Sequence, residues 1–201
     1  MTTLKDQKIL IPTHEPSWKE RLFFLISGIL GSVPLTLFID QSANSFLASL
    51  PDFYATFFAV VVLAPFVEEF SKAFPLFYRH GESMKSIFAL GLLVGLGFGV
   101  FEFLTYVLVL GAPILSRLTG IFFHAASTSI TAYGIVTRRT GLFYLIAVAL
   151  HSSHNFFASL MGLSLDYPFG VNFWVIGATL PLIIAIWLSM FLYDKVKKES
   201  T

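Results

Sequence analysis

Three glutamates interrupt long apolar stretches of this sequence. Glu68 and Glu69 are adjacent, and Glu102 lies in the following apolar stretch with Tyr106 one turn later. A charged side chain at the centre of a bilayer costs about 2.5–3.5 kcal/mol on insertion scales, so such residues normally face a protein interior or a water-filled cavity. A carboxylate in such a cavity can take a proton from water as a general base. These residues therefore suggest hydrolysis inside a membrane.

Lys72 follows the two adjacent glutamates in the same segment. Residues four apart share a helix face, so the spacing predicts an ion pair between Glu68 and Lys72. Glu69 then projects about 100° away from Glu68 and has no partner. Lys72 would keep one carboxylate ionised and leave the other to act on water. The alternative is an ion pair that only sets the helix register.

Imidazole and amide groups occupy two further apolar segments. His124 lies in one of them, and His151, His154 and Asn155 lie in the other. His151 and Asn155 are four residues apart and project from one helix face, with His154 at its edge. Both side chains can donate a hydrogen bond to one oxygen, which suits the anion formed when a carbonyl is attacked.

Two mechanisms agree with these groups. In the first, which we favour, no cofactor takes part: a glutamate activates water, and His151 and Asn155 stabilise the oxyanion. In the second, His124 and His151 bind zinc. Glu102 or Glu69 supplies a third ligand, and an open position remains for water. No His-Glu-x-x-His run is present, so zinc ligands would come from separate segments.

The composition indicates the surroundings in which this protein folds. Of its 201 residues, 56% are hydrophobic and 12% are charged, whereas soluble domains are about 25% charged. Membrane lipid is therefore the expected surrounding. The sequence has no cysteine, which excludes thiolate ligands and a cysteine nucleophile. A net charge of +1 and the lack of a basic patch mixed with aromatic residues argue against nucleic acid as a partner.

Six segments reach the length of about 20 mostly apolar residues that a membrane helix needs. They cover residues 22–39, 53–78, 86–110, 118–137, 141–163 and 172–193. The joins between them are short, and we find no internal repeat. We therefore predict an all-α, polytopic membrane protein that forms one domain over residues 1–201.

The basic residues predict the orientation. With six spans, one side of the membrane receives Lys5, Lys8, Lys19, Arg21, Arg79, Lys85, Arg138, Arg139, Lys195, Lys197 and Lys198. The other side receives Asp40, Asp52, Asp166 and one basic residue, Arg117. Because positive charges collect in the cytoplasm, both termini are expected there, as an N-terminal segment 1–21 and a tail 194–201.

A stripe of small residues precedes Glu102. Gly91, Gly95 and Gly99 recur every four residues, a pattern that lets a neighbouring helix approach closely. Such packing would turn Glu102 towards another helix and away from lipid.

The polar motifs follow one another in a specific order. They are Glu68-Glu69-Phe70-Ser71-Lys72, then Gly97-Phe98-Gly99-Val100-Phe101-Glu102 with Tyr106, then Arg117 and His124, then His151-Ser152-Ser153-His154-Asn155-Phe156. Over residues 65–158, this order resembles the PrsW family of bacterial intramembrane proteases. That family is similar in turn to the CAAX prenyl endopeptidases and the bacteriocin-processing membrane proteases.

The resemblance implies roles for individual residues. Glu68 would activate water, and Glu69 would support it or share its proton. Glu102 stands where the CAAX relatives have a histidine that helps to hold the water. His151 and Asn155 match the pair thought to form the oxyanion hole.

The resemblance also implies a setting. His124 matches a further histidine of the family, and Lys72, Tyr106 and His154 would support the site. The substrate would be a membrane-anchored protein or peptide, such as an anti-sigma factor. The location would be a bacterial cytoplasmic membrane.

Two other functions remain open at this point. Rows of buried Glu and His also mark proton or divalent-metal transporters, although these often contain an internal repeat. The other of these two functions is a non-catalytic membrane scaffold.

Overall fold

The structure is a computed structural model that describes residues 14–78, 83–162 and 170–199. This part of the chain forms six helices: α1 (Trp18–Leu47), α2 (Asp52–Tyr78), α3 (Met84–Val109), α4 (Ile114–Val136), α5 (Thr140–Gly162) and α6 (Gly170–Glu199). The predicted all-α fold is confirmed, and each predicted segment corresponds to one helix. Four charges used for the orientation lie outside the described residues: Lys5, Lys8, Arg79 and Asp166.

Four of the helices are long and apolar enough to cross a membrane, namely α1, α2, α3 and α6. The other two, α4 and α5, have 23 residues each, which corresponds to about 35 Å. Their length suffices for a span, but they carry polar side chains that lower their hydropathy. The buried polar side chains of these two helices are His124, Ser127, Thr128, Ser129, Thr131 and His151.

The end of α1 differs from the prediction. A loop was expected to begin at Asp40, but the helix continues to Leu47, and a short turn leads to Pro51 and α2. Apolar composition determines which residues enter lipid, whereas helical hydrogen bonding continues through polar residues until something interrupts it. Asp40 is therefore a helical residue.

Three helices contain stretches of π-helix, at Gly28–Ser32 in α1, Phe58–Leu63 in α2 and Thr105–Val109 in α3. In α2 the π stretch comes just before Pro65, and the last turn, Phe74–Tyr78, is a 3-10 helix that contains Pro75. A proline has no N–H to donate, so the helix changes its winding beside it.

Helices α3 and α4 form the most extensive contact of the bundle. The predicted glycine stripe lies in this contact. An added Cβ would meet the Ala132 Cβ at Gly91, the backbone carbonyl of His124 at Gly95, and Ile121 at Gly99. The backbones are therefore as close as the stripe predicts, and α3 brings Glu102 beside His124.

Candidate active site

A fully buried lysine lies at the centre of the polar groups. The Nζ atom of Lys72 is 2.7 Å from Glu69 Oε1, 2.8 Å from His124 Nδ1 and 3.4 Å from Ser127 Oγ. The predicted pair of Glu68 with Lys72 is wrong, because Lys72 pairs with Glu69. Spacings of three and four both place residues side by side on a helix, and here packing selects the spacing of three.

Glu69 is also buried, and three groups contact one of its oxygens. Oε1 accepts hydrogen bonds from the ammonium of Lys72, from the hydroxyl of Ser127 at 3.1 Å and from Nδ1 of His151 at 2.9 Å. A buried carboxylate is tolerated when a counter-charge and further donors compensate it. Glu69 therefore fixes Lys72 and His151 through Oε1, while its Oε2 is buried without a hydrogen-bond partner among the described residues.

The network assigns a proton to each imidazole. An ammonium can only donate, so Nδ1 of His124 accepts from Lys72 and the ring carries its proton on Nε2. That nitrogen donates to Glu102 Oε2. Nδ1 of His151 donates to the Glu69 carboxylate, and in the neutral ring Nε2 of His151 then carries no proton.

The unprotonated nitrogen of His151 faces Glu68. The Nε2 atom lies 3.8 Å from Glu68 Oε2, and that buried oxygen has no hydrogen-bond partner among the described residues. A water molecule or a metal ion that bridges these two atoms would satisfy both. Carboxylate and imidazole groups held by a second layer of partners are typical of hydrolytic centres.

A cavity of about 520 Å³ adjoins this pair. Glu68, Glu102 and His151 contribute to its wall, as do His154 and Asn155. It extends from the middle of the helices towards the end of the bundle where α1 and α3 end and α4 begins. Its volume is within the range of about 300–1,000 Å³ that is usual for ligand sites.

Asn155 forms a specific contact with α2. Its Nδ2 donates to the carbonyl of Val60 across 2.9 Å. In this π-helical stretch the N–H of Ala64 donates to the carbonyl of Ala59, five residues earlier. By the same spacing the carbonyl of Val60 would accept from residue 65, but Pro65 has no N–H. Asn155 thus supplies the donor that the helix lacks. Asn155 and His151 both line the cavity, as their spacing predicts, but Asn155 is engaged with the backbone.

The two remaining supporting residues have separate surroundings. Nδ1 of His154 is 2.7 Å from the carbonyl of Ala178 on α6, and its ring stacks on Phe123. The guanidinium of Arg117 lies 3.7 Å above the ring of Tyr106. His154 and Tyr106 both contribute to the cavity wall, and neither belongs to the network around Lys72.

The donor atoms fit a zinc site in type and proximity. Ligand atoms of Glu68, His124 and His151 all lie within 4.8 Å of one another, and zinc prefers nitrogen and oxygen donors of this kind. Glu68 thus takes the place that the sequence prediction gave to Glu102 or Glu69. The carboxylate of Glu69 on the far nitrogen of His151 is the usual outer partner of a zinc-bound imidazole.

Several groups at the site were not predicted from the sequence. Ser127 bonds to both Glu69 and Lys72, and its position three residues after His124 is the signal that could have identified it. Phe98 lies 5.1 Å from the ammonium of Lys72. Asp40 lines the cavity but had been assigned to a loop. An aromatic residue or an aspartate at a helix end has too many ordinary roles to stand out.

Fold and site together define the class: a helical membrane protein with a carboxylate–imidazole centre in an internal cavity. Residues 16–186 match a family model described as PrsW family intramembrane metalloprotease. The chain therefore belongs to this family, and the resemblance seen in the motifs is confirmed. The match does not favour the transporter. No match was found among curated proteins or among solved structures.

Proposed function

We propose that the protein is an intramembrane endopeptidase that hydrolyses a peptide bond of a membrane-anchored protein or peptide within the cavity. The observation that supports it best is the pair of Glu68 Oε2 and His151 Nε2, 3.8 Å apart at the cavity wall. Each is free to accept a proton from water, and the ion network behind His151 keeps its ring in place.

The reaction begins with a water molecule between these two atoms. Glu68 takes a proton while the water oxygen attacks the peptide carbonyl. The oxyanion forms in the cavity near Asn155, which reaches it only by releasing Val60. The proton then passes to the leaving amine, so that one water is consumed and two chain ends are formed.

The residues that would hold zinc are Glu68 and His151, with His124 or Glu102 completing the set. Zinc would supply a Lewis acid that activates water and polarises the carbonyl. His124 can serve as a ligand only if its contact with Lys72 or Glu102 changes, because each of its nitrogens is engaged. Glu102 lies outside the set of ligand atoms within 4.8 Å of one another and accepts a hydrogen bond from His124, so it too would bind zinc only after a rearrangement.

We also propose six membrane spans with both termini in the cytoplasm of a bacterial cell. The ends of the bundle differ in charge in the way that the positive-inside rule requires. One end has Arg21, Lys85, Arg138, Arg139 and Lys195, and the other has Asp40, Asp52 and Arg117. The polar helices α4 and α5 can span the membrane because side chains such as His124, Thr128 and His151 are buried in the bundle. The exposed hydroxyl of Ser153 donates to the carbonyl of Ala149 in its own helix.

The test is cleavage of membrane-anchored peptides by purified protein in detergent. Glu68→Gln should lower kcat by about 100-fold or more, as expected for a lost general base. Glu15→Gln, an exposed site outside the cavity, is the matched control and should cleave normally. Cleavage that survives a strong chelator supports the metal-free reaction. Cleavage that the chelator abolishes and added zinc restores supports the metal site. Folded protein that cleaves no peptide would contradict the proposal.

A further inference from the structure

One charged residue in the cavity has no role in the reaction described above. Arg117 lines the cavity, and its contact within the described part of the chain is the face of the Tyr106 ring at 3.7 Å. Stacking on a ring holds the plane of a guanidinium and leaves its N–H edges available. A cation in a membrane protein normally pairs with a carboxylate, but none of the described residues supplies one.

The same cavity also carries complementary groups on α1. Asp40 and Thr36 are one turn apart on α1, and both line the same cavity. Oδ1 of Asp40 and Oγ1 of Thr36 are buried without a hydrogen-bond partner among the described residues. The cavity therefore contains an unpaired anion and an unpaired cation that do not pair with each other.

We propose that Arg117 is a specificity-determining residue that binds an acidic side chain of the substrate. Asp40, which lines the same cavity from α1, repels that group and so orients the substrate segment. This inference rests on the proposed peptidase function. A carboxylate is the ligand that a guanidinium fork binds best, through two parallel hydrogen bonds.

The position of the acidic residue follows from the helix geometry. Arg117 precedes His124 by two turns of α4, which corresponds to about 10 Å. An extended peptide advances about 3.3 Å per residue, so the acidic residue should lie within about four positions of the cleaved bond. Because the cavity extends to one end of the bundle, it should lie on one side of that bond only.

The experiment uses membrane-anchored peptides that differ by a single Asp or Asn at successive positions on both sides of the cleaved bond. For the wild type, kcat/KM should be about ten-fold higher with Asp than with Asn at one position, as one charge-assisted pair would give. Arg117→Gln should abolish this ratio, and Arg117→Glu should favour Lys there instead. The Asp40→Asn variant should also cleave peptides that carry Asp on the other side of the cleaved bond.

Ratios within each variant are compared, so partial loss of folded protein does not affect the result. Tyr106→Phe keeps the ring and should keep the preference, whereas Tyr106→Leu should weaken it. Equal cleavage of Asp and Asn peptides by the wild type, or an unchanged ratio in Arg117→Gln, would overturn the inference and leave the peptidase function intact. If the wild type cleaves no peptide, the proposed function itself fails, and the inference with it.

Discussion

The side-chain amide of Asn155 on α5 donates a hydrogen bond to the backbone carbonyl of Val60 on α2, in place of the N–H that Pro65 does not have. Asn155→Ala should leave this carbonyl without a donor and lower the free energy of unfolding by about 1–3 kcal/mol. Pro65→Ala returns an N–H to the helix and should restore part of the stability in the double variant. Melting temperatures of the single and double variants in detergent measure both effects. A purely catalytic role for Asn155 would instead lower cleavage without changing the melting temperature.

The buried lysine gives a second prediction. Lys72→Met removes the counter-charge of Glu69 and should destabilise the protein by about 3–5 kcal/mol, because a buried carboxylate is left uncompensated. Adding Glu69→Gln removes that charge and should recover part of the loss. Thermal melting in detergent is the measurement, and Lys85→Met, at an exposed position, is the control. Equal stability of Lys72→Met and wild type would show that the pair is not formed.

The glycine stripe gives a third prediction. Gly95→Ala places a methyl group against the backbone carbonyl of His124 and 2.7 Å from the Thr128 hydroxyl. The helices must separate, which should cost about 1–3 kcal/mol and move Glu102 away from His124. Cleavage should fall together with the melting temperature. Gly120→Ala on α4 meets nothing within 4 Å and should be neutral or slightly stabilising.

The proposed topology is testable because the sequence has no cysteine. Single cysteines at Ser17 and Ser49, one before α1 and one after it, should differ in labelling by a membrane-impermeant thiol reagent applied to intact cells. Ser49→Cys should be labelled and Ser17→Cys should not, whereas both should react after the cells are opened. The reverse pattern would place the N-terminus outside, and equal labelling would show that α1 does not span the membrane.

Much of the site was predictable from the sequence because insertion into lipid is costly for charged groups. The apolar background makes Glu68, Glu69, Glu102, His124 and His151 stand out, and their order along the chain identifies the family. The same background predicts the helices, since backbone groups in lipid must bond within their own segment. The glycine spacing predicts which face of α3 meets its neighbour.

Tertiary structure decided the partners within this set. Spacing allowed Lys72 to pair with either glutamate, and the packing of α2 against α4 and α5 chose Glu69, because His124, Ser127 and His151 complete the buried network there. Glu68 is consequently the carboxylate left facing the cavity. That Asp40 and Arg117 line one cavity also depends on how distant segments pack. The sequence by itself determined the chemical groups, their helices and the membrane, because these depend on composition and local spacing. Their pairing depends on side-chain directions across helix contacts, which local spacing does not specify.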